Sequence, residues 1–215
     1  LQINNWNQDR LKEIKEIKTL KSFKEQFQND ITEIEESLGF YDEAARSLDI
    51  IIDHLNNKRL YDDSLNQHFF ISTRFYGDSD LDNHVFESLK SEGLDLISNA
   101  AIRNRIVRLY EDNDEWMVNF ELAYRDFLFD ASKDIFNTRF EDFWRGDHKD
   151  LTYTKGEMIP LDFESLQTDQ EYLYFIRTQK NQLGWLIYKP LEETKATIMD
   201  LSKDLNKEIE RLEME

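Results

Sequence analysis

Asp78-x-Asp80-x-Asp82 places three carboxylates at alternate positions, which is how a calcium-binding loop begins. A full loop of that kind needs Gly at its sixth position and Glu at its twelfth. Here those positions hold Asn83 and Leu89. A solvated turn that caps the following helix is therefore the plainer expectation. Asp78, Asp80 and Asp82 are the metal candidates the sequence offers, and no bound metal or cofactor is expected from them. The four histidines are His54, His68, His84 and His148. None lies in an HExxH pattern, and none follows a glutamate by three residues as a di-iron bundle requires. His68, next to Phe69 and Phe70, reads as a residue at the margin of a core.

Carboxylates cluster at Glu111/Asp112/Asp114/Glu115, Glu141/Asp142 and Glu192/Glu193. Paired acids do acid–base work when burial drives their pKa values apart. With 45 acids in the chain such clusters arise by chance, and a solvated face is the plainer reading. There is no glycine-rich phosphate loop, no GxSxG elbow and no kinase signature. The chain has no cysteine, which excludes disulfides, thiolate zinc sites and a cysteine nucleophile. Rings are dense from Trp116 to Trp144. Most should pack in a core, and the surplus leaves room for an apolar groove.

The elements that would carry these residues are helical. Six Gly and two Pro in 215 residues leave few turns, hence long helices. Apolar residues from Leu11 to Leu38 recur in steps of three and four, so residues 4–38 read as one helix with Gly39 as its stop. A second helix is expected over 41–57 and a third over 61–74, followed by a polar loop at 77–83. A short helix should end at Gly93. Ser98 or Asn99 should cap a long helical stretch over about 99–145, with residues 111–115 as a bend and Gly146 as its end. Residues 151–163 alternate enough for a small β-hairpin around Lys155-Gly156, with a loop as the equal alternative. The last stretch, about 166–214, is helical again, and Pro190 should kink or split it. Its mixed charges suit an antiparallel pairing with the lysine-bearing first helix. An intermolecular coiled coil, hence a homo-oligomer, would show the same heptad pattern. The fold class expected is all-α: an elongated antiparallel helical bundle with long N- and C-terminal helices, read as one domain over 1–215.

The formal net charge is −18. Residues 1–25 hold six bases against four acids, a net of +2, so the remainder carries −20. Such a surface repels nucleic acid, and no nucleic-acid partner is expected. No run of about 18 apolar residues exists to span a bilayer.

Two stretches carry a resemblance. LQINNWN (1–7) resembles the segment that ends the membrane helix in a family of uncharacterised bacterial proteins, found chiefly in Bacteroidota and classed as a domain of unknown function. VFESLKSEGLDLISNAAIRNRIVRLYE (85–111) is similar to a second motif of that family. In this chain that motif comprises Phe86, Ser88, Leu89, Lys90, Ser91, Gly93, Leu96, Ile97, Asn99, Arg103, Ile106, Leu109 and Tyr110. The resemblance implies a transmembrane helix upstream, with residues 1–10 as a juxtamembrane segment. Leu1 and Ile3 would end the span, Trp6 would sit at headgroup level, and Arg10 with the lysines would meet anionic lipid. The family's basic leader implies a domain in the periplasm, anchored to the inner membrane. The family brings no known activity and no catalytic residues. A helix ending at Gly93, with Phe86 and Leu89 buried and Ser88 and Lys90 solvated, accounts for the second motif.

Two functions are therefore expected. The leading one is a membrane-anchored periplasmic binding, scaffold or sensor-like module without catalytic activity, whose partners are the bilayer and an envelope protein. The alternative is a metal- or carboxylate-dependent hydrolase of the cell envelope, with buried acids facing His84 or His148.

Overall fold

The computed structural model describes residues 2–77, 80–150 and 155–214, without the side chains of residues 2–7 and 9. The fold is all-α with one small antiparallel hairpin. Residues group into two compact units. One comprises Leu1–Glu35, Ser79–Val118 and Pro190–Glu215; the other comprises Glu36–Asp78 and Asn119–Lys189.

Helix α1 runs from Gln2 to Asn56 without a break. Gly39 does not stop it, contrary to the sequence expectation. A β-carbon there would meet nothing within 4 Å, and the apolar stripe resumes at once with Tyr41, Ala44 and Leu48, all fully buried. That burial outweighs the roughly 1 kcal/mol that glycine costs inside a helix. The actual stop is Lys58, whose φ is +48. Its left-handed turn lets the Arg59 amide donate to the His54 carbonyl at 3.0 Å.

In the first unit, α1 pairs antiparallel with α8 (Lys189–Met214). Lys21 meets Glu213 at 2.6 Å while Lys195 meets Glu35 at 3.0 Å, so the two helices run in opposite senses. The charge-against-charge pairing expected from the sequence is present. Leu191, Ile198, Leu201, Leu205, Ile209 and Leu212 bury one face of α8. Helix α3 (His84–Glu92) ends at Gly93, where φ is +107. Helix α4 (Ala100–Arg108) is capped by Asn99, which accepts from the Ala101 and Ile102 amides. The guanidinium of Arg105 forks onto Asp200 and Asp204, one turn apart on α8. Residues Leu109–Asn113 widen into a π turn before α5 (Asp114–Asp134). This is where a bend was expected. The helical stretch ends at Asp134, short of Gly146.

The second unit holds α2, which is shorter than expected at Leu65–Ser72, together with α6 (Phe163–Leu166) and α7 (Gln170–Gln182). Its core is aromatic. Phe136 stacks on Phe143 and meets Phe140 and Phe175 edge-on, and Phe127 stacks on Phe175 at 5.2 Å. Arg139 ties Asp169 to Glu171, and Asp169 caps α7. The hairpin pairs β1 (Arg145–Gly146) with β2 (Gly156–Glu157). Lys155-Gly156 is therefore the start of the second strand and not the turn. The pairing continues where the Glu141 amide donates to Ile159 and the Leu161 amide donates to Arg139. The first arm thus precedes the 151–163 segment. Gly146 is required by this close approach, since a β-carbon would lie 2.7 Å from the Lys155 carbonyl oxygen.

Pro190 neither breaks nor splits the last helical stretch. A π turn over Leu183–Tyr188 joins α7 to α8, and Lys189 stays helical at φ −60, ψ −51. Proline lacks the amide hydrogen and crowds the carbonyl one turn back. The wider turn immediately upstream absorbs that conflict.

Candidate functional site

Across the π turn of the second unit Gly184 and Trp185 are exposed, while Leu183 and Ile187 are buried. Such bulges often mark functional positions. Trp185 is 60 % exposed, although indole is among the side chains with most to gain from burial. With no side chain on Gly184, the approach to the ring is open. Tyr174, 71 % exposed, lies on the same helical face.

Bases surround the indole. The Lys189 ammonium sits 4.9 Å from the ring centroid, a cation–π contact. Arg177 reaches Asn56 at 3.4 Å, and Lys180 pairs with Asp49. With Ile52 these side chains line an open groove of about 680 Å³. Arg177, Lys180 and Lys189 thus bring three cations to the rim of this groove in a chain of net charge −18. It offers an apolar floor, an exposed π face and a positive rim. Those features are complementary in charge and shape to an acidic segment carrying a ring or apolar residue.

None of the site residues singled out by sequence lines this groove. Asp78 lies outside the described residues. The Asp82 carboxylate accepts from the His84 amide at 3.0 Å, and its backbone amide donates to Asp30 at 3.3 Å. Among the described residues no group of three or more His, Asp or Glu side chains is placed to hold a metal ion. Glu111, Asp112, Glu115, Glu141, Asp142, Glu192 and Glu193 are exposed. His54 bonds the Ile50 carbonyl and His68 bonds Ser47. The partial burial of His68 lowers its pKa. His84 is 3.9 Å from Asp82 and almost fully exposed, and His148 is exposed. Leu1 and the side chains of Ile3 and Trp6 lie outside the described structure; Arg10 is exposed.

Two residues of the second motif do come together. Phe86 stacks on Tyr110 with centroids 4.8 Å apart. Lys90 covers the Phe86 ring at 4.9 Å and pairs with Glu87, Leu89 is buried, and Gly93 ends the helix. Ser88 is exposed and lines a shallow hollow with His84 and Glu92.

Beside this stack lies a polar arrangement that sequence reasoning missed. Gln26 donates to the Tyr110 hydroxyl at 2.6 Å and to the Asp82 carbonyl, and accepts from the Val85 amide. Asp30 is 1 % exposed; one of its oxygens accepts from Asp82 and the other, Oδ2, has no hydrogen-bond partner. Burial, followed by the charges of Glu33, Asp82 and Asp114, pushes its carboxyl up to about 7. Asp114 accepts from the Leu81 amide at 2.8 Å and is also raised, chiefly by burial. Asp30 sits on the buried stripe Phe23–Phe27–Asp30–Ile34, and that acid on an apolar face was the legible signal. No protein-family model, curated protein or solved structure matches this chain.

Proposed function

We propose that this protein is a non-catalytic binding module that captures an acidic, ring-bearing segment of a partner protein in the Trp185 groove. One observation carries the reading: a largely exposed indole, opened by Gly184 and rimmed by Arg177, Lys180 and Lys189, in a strongly acidic chain. Charge complementarity draws an acidic segment to the rim, and the ring face supplies the contact that outlasts salt screening. The likeness of LQINNWN to a juxtamembrane segment supports holding this module at the inner membrane, facing the periplasm. The hydrolase reading gains no support from the described acids. Buried Asp30 and half-buried Asp114 accept from backbone amides, and buried Glu16, Glu121 and Glu208 bond Ser98, Tyr41 and Asn99 in place of a histidine.

A synthetic peptide with phenylalanine flanked by glutamates tests the groove by calorimetry. Saturable binding that weakens at least tenfold in Trp185→Ala and in Arg177→Glu is expected. Equal binding to wild type and both variants contradicts the assignment. Protease accessibility in spheroplasts tests the placement: digestion before lysis supports a periplasmic domain, and protection until lysis refutes it.

A further inference from the structure

A second cavity in the same unit is independent of the groove. It holds about 280 Å³ and is lined by Arg74, Tyr76, Gly77, Arg125, Phe129 and Trp144. That is at the lower edge of ligand pockets, roughly 300–1,000 Å³. Its walls are built in a way that packing alone does not require. Trp144 has φ +58, an uncommon and strained conformation for a bulky residue that recurs at ligand sites. The strain is held by the indole N–H donating to the Thr73 hydroxyl at 3.0 Å and by stacking on Phe143. Phe129 meets the same indole edge-on at 5.6 Å. The opposite rim is fixed by buried Glu121, which accepts from the Gly77 amide at 3.2 Å and from the Tyr41 hydroxyl at 2.8 Å. Gly77 has φ +79, and a β-carbon there would collide with the Phe75 ring at 2.7 Å.

Two guanidinium groups border this aromatic chamber. Arg74 is 3 % exposed; it pairs with Glu43 at 2.6 Å and lies 4.5 Å over the Phe40 ring. Arg125 bonds its sequence neighbour Asp126 at 2.8 Å, an exposed pair of the kind worth little. A ligand carboxylate can therefore exchange for Asp126 at modest cost, and guanidinium is the group that grips a carboxylate with two parallel bonds. The volume suits a small ligand, and the aromatic walls favour a flat ring.

We infer that this cavity binds a small monoanionic carboxylate with a planar apolar ring, its carboxylate on Arg125 and its ring against Phe129 and Trp144. Calorimetry with phenylacetate, phenylacetamide and acetate tests this on the whole chain, beside the indole N–H resonance of Trp144, assigned with Trp144→Phe. Phenylacetate is expected to bind one to one, at least tenfold tighter than the neutral amide or the ringless acetate. It should shift the Trp144 resonance, and Arg125→Ala should weaken it at least tenfold with unchanged circular dichroism. Trp185→Ala should leave it unaltered, which separates this site from the acidic-peptide groove. Equal affinity for acid and amide, no saturable binding at millimolar phenylacetate, indifference to Arg125→Ala, or a shift at Trp185 in place of Trp144 would each overturn the assignment.

Discussion

The ammonium of Lys189 lies 4.9 Å from the centroid of the Trp185 ring, and both belong to the junction made by the π turn before Pro190. Trp185 is mostly exposed, so Trp185→Ala removes little buried area. Its unfolding free energy should stay within about 0.5 kcal/mol of wild type, while affinity for the acidic peptide falls at least tenfold. Urea melts and calorimetry on the same samples separate the two effects.

The same rim makes a salt prediction. Screening length falls from about 30 Å at 0.01 M to about 3 Å at 1 M. Acidic-peptide affinity should drop steeply over that range but not vanish, because the ring contact is not screened. A salt-independent affinity would show that Arg177, Lys180 and Lys189 do not contribute.

Glycine substitutions test the reading of α1 and the hairpin in opposite directions. Gly39→Ala adds a methyl where nothing lies within 4 Å, in the middle of a helix. It should stabilise the protein by about 0.5–1 kcal/mol. Gly156→Ala would place its β-carbon 2.5 Å from the Phe70 ring. It should destabilise by about 1–3 kcal/mol. Thermal melts of the two variants should move to opposite sides of wild type.

Asp30 gives the first unit a pH dependence. Its carboxyl is raised from 3.8 to about 7 in the folded state. Between those values the folded chain holds a proton that the unfolded chain has released. Stability from this group is therefore fully present below pH 3.8, falls as pH rises towards 7, and is level above that. The total is about 2–4 kcal/mol. Asp30→Asn keeps an oxygen for the Asp82 amide and removes the titration. The variant should lose most of the wild-type decline between about pH 4 and 7, and should be the more stable protein at pH 8. Denaturant melts across this range check it; parallel curves for the two proteins would contradict the raised carboxyl.

Much of this fold is written in periodicity. The stripe of α8, the cap at Asn99 and the stop at Gly93 follow local rules, and the structure holds all three. Gly39 misled because it is a local breaker overridden by apolar contacts on both sides, and Pro190 did not split the last stretch because a π turn precedes it. The hairpin was placed too late because its first arm, Arg145–Gly146, has no alternating pattern and is fixed by the partner strand. The groove was not legible because it sets Ile52 and Asn56 beside Arg177, Lys180 and Trp185, a tertiary pairing that no local pattern marks. Asp30 was legible, since it interrupts a run of buried apolar positions on α1. The aromatic stretch from Trp116 to Trp144 contributes Phe129 and Trp144 to the smaller cavity, whose other rings, Phe70, Phe75 and Tyr76, come from the segment around α2.

The most direct test of the central claim places a photo-crosslinking side chain at Asn181, which lines the Trp185 groove, in cells making the full-length protein. A matching probe at Leu60, 87 % exposed, serves as the control. The account predicts a discrete adduct from Asn181 and none from Leu60, lost in Arg177→Glu and competed away by the acidic peptide. An adduct that ignores both the substitution and the competitor, or identical behaviour at the two positions, would contradict it.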